Sequence, residues 1–66
     1  MTNDEARWLQ TALAYGGSFI RTFAEACLRT DQDNEQILRP ALRALMKKYP
    51  DYLNWSNEAV RPELKP

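Results

Sequence analysis

Gly16-Gly17-Ser18-Phe19-Ile20-Arg21-Thr22-Phe23-Ala24-Glu25-Ala26-Cys27-Leu28-Arg29-Thr30-Asp31 is the stretch on which the fold turns. Phe19, Ile20, Phe23, Ala24, Cys27 and Leu28 recur at the three- and four-residue spacing of one helical face. Arg21, Glu25 and Arg29 fall on the opposite side, four residues apart and alternating in sign, so neighbours can pair across a helical turn. Ser18 is a suitable N-cap. The paired glycines before it suit a helix stop through the left-handed conformation that glycine adopts without a Cβ penalty. The segment therefore predicts an amphipathic helix over about residues 18–30, bounded on both sides.

The same pattern lies on either side. Upstream, Thr2 with Glu5 three residues later forms a candidate capping box, and Asp4 and Glu5 suit the positive end of a helix dipole. Trp8, Leu9, Ala12 and Leu13 then recur at helical spacing up to Tyr15, which predicts a helix over about 3–15. Downstream, Asp31-Gln32-Asp33-Asn34 is a polar turn in which Asp31 or Asp33 can cap. Ile37, Leu38, Ala41, Leu42, Leu45, Met46 and Tyr49 form a third stripe, over about 34–49. Pro40 interrupts it, because an interior proline removes a backbone hydrogen bond and crowds the preceding turn. A fresh helix could start at Pro40, but the stripe continues through it, so one element kinked there is preferred. Asp51 to Trp55 can add a short helical turn that folds Tyr52, Leu53 and Trp55 back over the core. The expected fold is all-α, a small three-helix bundle forming one domain over 1–55, with 56–66 a mostly extended tail.

A chain of 66 residues buries a thin core. Disulfides, metals or self-association usually compensate. With one cysteine there is no internal disulfide, and with no histidine there is no ordinary zinc set. A two-fold homodimer that packs leftover apolar surface is therefore expected. The hydrophobic share of 44% suits a folded chain, and nine basic residues balance nine acidic ones. That balance weighs against a dedicated DNA binder. The apolar runs are too short to span a membrane, and the acidic start Met1-Thr2-Asn3-Asp4-Glu5 lacks the features of a signal peptide. A cytosolic protein with a reduced thiol is expected.

No catalytic constellation stands out. Histidine, the usual general base near neutral pH, is missing, and Cys27 lies on an apolar stripe where a small buried hydrophobe is expected. Asp31, Asp33 and Glu35 are accounted for by capping and dipole complementation, and they lack the glycine and closing glutamate of a calcium loop. The chain is expected not to be an enzyme and to need no cofactor or metal.

Binding is the remaining class, and two features suggest where. Arg39, Arg43 and Lys47 are spaced by four, with Lys48 beside them. They form either a contact stripe for an acidic surface, a nucleotide or a phosphate backbone, or an ordinary solvated helix face. The aromatics Trp8, Tyr15, Phe19, Phe23, Tyr49, Tyr52 and Trp55 exceed what three short helices can cover. Trp8, Tyr52 and Trp55 are expected to stay partly exposed as interface anchors, with Trp55 alternatively plugging the open end of the bundle.

The run Gly16 to Asp31, with Asn34 and Leu38-Arg39-Pro40, resembles short open reading frames of tailed phages and prophages. Those share a Gly-Ser-Phe opening, an Ala-Glu-Ala run, an acidic turn with an asparagine, and a helix ending near a tyrosine. The resemblance spans about Gly16 to Tyr52. It carries over no functional residue. It implies a phage setting in the host cytoplasm, where small proteins of this kind bind and inhibit host machinery, including defence systems such as CRISPR. The leading expectation is a protein-binding module that modulates or inhibits a host protein. A nucleic-acid-binding accessory protein using the basic stripe is the first alternative. An oligomeric nucleotide-signal sponge, stacking a base on Trp8, Tyr52 or Trp55, is the second.

Overall fold

The computed structural model describes residues 1–56, which hold four helices. They are α1 (Asn3–Tyr15), α2 (Ser18–Arg29), α3 (Gln32–Lys48) and the single turn α4 (Asp51–Asn54). The expected all-α bundle is thus the fold, with no strand among the described residues. Of the foreseen tail, residues 57–66 lie outside the described part.

Local chemistry sets the helix starts. The Thr2 hydroxyl accepts from the Glu5 N–H at 3.1 Å, and Glu5 Oε1 accepts from the Thr2 N–H at 2.9 Å, a complete capping box. Asp31 caps α3 by accepting from the Asn34 N–H at 2.9 Å. That makes Gln32 the first helical residue, two earlier than the spacing predicted. The helix then runs through Pro40 to Lys48 as one element of 17 residues.

The α1–α2 junction differs from expectation. Ser18 is not a cap but the first residue of α2; Gly17 occupies the N-cap, without a side-chain hydrogen bond. Neither glycine is left-handed, because Gly16 and Gly17 both have φ of −75° in extended backbone. Gly16 is needed for space instead. A Cβ there would lie 2.6 Å from the Ala12 carbonyl oxygen and 2.7 Å from Ile20 Cγ2, whereas one on Gly17 would meet nothing within 4 Å. Gly16→Ala must push α2 off α1 and should cost about 1–3 kcal/mol. Gly17→Ala meets no clash and should cost less, under about 1 kcal/mol for exchanging a favourable N-cap glycine for alanine. Paired urea melts check this; equal losses at the two glycines would refute the close approach.

α1 is the centre of the bundle. It packs most extensively on α2, then on α4 and α3, while α2 and α3 approach each other much less. Trp8, Leu9 and Ala12 of α1 meet Ile20, Ala24 and Cys27 of α2 and Leu42 of α3 in the buried core. Leu38, Leu45, Met46, Tyr49, Tyr52 and Leu53 close over it, half-buried. Thr11 is buried with its hydroxyl donating to the Arg7 carbonyl at 2.9 Å, so it carries no unpaired polar group inward.

Trp8 corrects an expectation. It is wholly buried rather than partly exposed, and its indole Nε1 donates to the Tyr49 carbonyl at 2.9 Å. The first helix supplies the ring, and the end of the third supplies the acceptor that a buried indole requires.

Candidate interaction surfaces

The foreseen anchors fall into two groups. Tyr52 and Trp55 remain half-exposed on and just after α4, whereas Trp8 lies beneath them. Their rings form one edge-to-face chain. Trp8 meets Tyr52 at 5.5 Å between centroids and 90°, and Tyr52 meets Trp55 at 5.5 Å and 90°. Trp55 continues to Tyr15 at 6.2 Å. This geometry favours the ring quadrupoles and locks α4 onto α1. Trp8 is buried at the inner end of this chain of rings, and Tyr52 and Trp55 are partly exposed. Ser56 fastens the same corner: it donates to the Leu53 carbonyl at 2.6 Å and accepts from Arg7 Nη2 at 3.0 Å.

Two members of the basic row of α3, Arg39 and Arg43, are drawn into ion pairs. Arg39 Nη2 donates to Glu35 Oε2 at 2.8 Å, and the Met1 amino group lies 3.2 Å from the same oxygen. Arg43 Nε sits 3.4 Å from Glu5 Oε2, close enough to attract but not aligned as a hydrogen bond. Lys48 Nζ rests 5.4 Å from the centre of the Tyr49 ring. Lys47 is exposed and has no ion-pair partner among the described residues. Arg43, Met46 and Lys47 of α3 border a groove of about 450 Å³, with Thr2, Asp4 and Glu5 at the start of α1 opposite.

These pairs shift the acids. The Thr2 N–H holds the Glu5 carboxyl below its ordinary range, aided by Arg39 and Arg43 and opposed by burial. The Arg39 guanidinium, with the Met1 amino group, lowers Glu35, and the same contact raises Arg39. Cys27 moves the other way: burial, and secondarily the Glu35 charge, push its thiol up. A buried thiol whose pKa is raised suits a packing role.

Sequence reasoning missed two residues. Phe19 and Ile37, placed on apolar stripes, are 65% and 73% exposed. Phe19 stands beside Phe23, with centroids 6.4 Å apart, and Phe23 leans into the core. The signal was angular. At about 100° per residue, Phe19 sits at the edge of an arc centred on Ile20, Ala24 and Cys27, and Ile37 at the edge of one centred on Leu38 and Leu42. No protein-family model, curated protein or solved structure matches the chain.

Proposed function

We propose that the chain is a protein-binding module which docks on a host protein and modulates or inhibits it in a phage setting, within the host cytoplasm. A defence system such as CRISPR is one target class. The observation that carries this reading is the uncovered Phe19 ring, 65% exposed and backed by Phe23. A large aromatic that the core leaves in water, on a rigid helix and supported from behind, has the character of an interface anchor for an apolar cleft. The pairing of Arg39 and Arg43 within the chain supports a protein partner over a phosphate backbone, since a nucleic acid would have to displace Glu35 and Glu5. No described helix is long and apolar enough to cross a membrane.

The test is capture from host lysate at low and high salt, followed by reconstitution of the identified target with purified chain. A single protein should be retained at high salt in a stoichiometric complex. Phe19→Ala should weaken that complex at least about tenfold, as expected for an anchor. Its helical circular dichroism should stay unchanged, because Phe19 lies outside the core. Nucleic acid retained only at low salt, and lost in Lys47→Ala, would overturn the proposal.

A further inference from the structure

α3 carries a second uncovered face, distinct from the Phe19 surface. Asp33, Ile37, Pro40, Ala41, Ala44 and Lys48 are all exposed. On a helix they fall within an arc of about 100°, with Ile37 about 140° from the buried Leu42. The face is acidic at its N-terminal end, basic at its C-terminal end and apolar between, over about 22 Å. Ile37 is the most exposed of the large apolar residues that the core leaves uncovered.

We infer that this face is the seat of a second copy of the chain, in an antiparallel two-fold pairing of α3 with α3. The charge order selects the occupant and its direction. With the two-fold axis between Pro40 and Ala41, Asp33 of each copy faces Lys48 of the other. The same axis sets Ile37 against Ala44 of the other copy, a branched side chain over a small one, and Ala41 against Pro40. A parallel pairing would set Asp33 against Asp33 and Lys48 against Lys48, and like charges repel. An isologous contact closes at two copies and builds no filament. Alanine at two of the four apolar positions, Ala41 and Ala44, allows close approach of the backbones.

The size of the face sets the strength. A single helix pair of this length buries roughly 800–1,000 Å² in total, below the range of a stable interface. The dimer is therefore weak, with Kd of about 0.1 mM, and forms at high local concentration. It stands independently of the host-protein reading, because it uses α3 and not Phe19.

Sedimentation equilibrium from about 10 µM to 1 mM brackets that Kd. The mass should rise from one chain toward two. Ile37→Glu should hold it at one chain throughout with unchanged helical circular dichroism, since Ile37 is outside the core. Lys48→Glu should weaken the dimer, and the double variant Asp33→Lys/Lys48→Glu should restore it, which only facing charges produce. A one-chain mass for the unaltered protein at the highest concentration would overturn the inference. So would a dimer indifferent to Ile37→Glu, one abolished by Phe19→Ala instead, or a double variant no better than Lys48→Glu alone.

Discussion

Trp8→Ala is expected to unfold most of the protein at 25 °C. Truncating a buried tryptophan typically costs about 3–5 kcal/mol. The Tyr49 carbonyl loses its indole donor as well, at about 1 kcal/mol more. A domain of this size has a total stability of only about 3–10 kcal/mol. Trp8 is also where three connections cross: it is fully buried in α1, its edge-to-face contact holds Tyr52 on α4, and its hydrogen bond holds the end of α3. Thermal melts followed at 222 nm should show no cooperative transition, or one far below that of the parent. Trp8→Phe keeps most of the ring volume and loses the hydrogen bond. It should cost about 1–3 kcal/mol, or a fall in Tm of about 10 °C. Trp55→Ala, at the half-buried rim, should cost less than either. A Trp8→Ala variant that melts cooperatively near the parent would show that α1 does not organise the bundle.

The contrast between Trp8 and Phe19 shows what the amino-acid sequence could reveal. Helix spans follow from local spacing, and caps follow from contacts three residues apart. Hence α1, α2 and the Thr2–Glu5 capping box were legible, and the cap of α3 was narrowed to Asp31 or Asp33, with boundaries within two residues. Which side of a stripe becomes the centre is set by the neighbour it meets, and that neighbour is remote in sequence. Trp8 is covered because α4 returns over it, a consequence of the turn at Pro50 and not of anything near residue 8. Phe19 and Ile37 are uncovered because α2 and α3 both lean on α1 more than on each other. The ion pairs divide the same way. Glu35 and Arg39 are four apart on one helix, a pairing written in the sequence. Glu5 and Arg43 meet only because α1 and α3 fold together. The left-handed stop expected at Gly16-Gly17 failed because a glycine can serve by lacking a side chain as well as by its backbone freedom.

Acid should loosen the contact between α1 and α3 before it dissolves the helices. Glu5 and Glu35 are both held below their ordinary carboxyl range in the folded chain, so the unfolded chain binds more protons as pH falls. Stability from these groups is complete above the unfolded carboxyl range and is lost as pH drops through the lower folded values. The chain has no histidine to titrate above that window. Tm should therefore stay nearly level from about pH 7 to about pH 5 and decline below it. Within Glu5 the two oxygens contribute unequally. Oε1 completes the capping box, whereas Oε2 is buried without a hydrogen bond and faces a largely exposed Arg43. Because Arg43 is largely exposed and screened by water, that pair should contribute under about 1 kcal/mol, so the cap dominates. Glu5→Gln keeps an acceptor for the Thr2 N–H and should lose little at pH 7, while its decline below pH 5 becomes shallower. Glu5→Ala loses the cap as well and should cost about 1 kcal/mol more than Glu5→Gln at pH 7. If Glu5→Gln and Glu5→Ala fall together below the parent at pH 7, the charge and not the cap carries the contribution of Glu5. If both keep the parent's full acid decline, Glu35 with its Arg39 partner carries the pH dependence instead, and Glu35→Gln should then be the variant that flattens it.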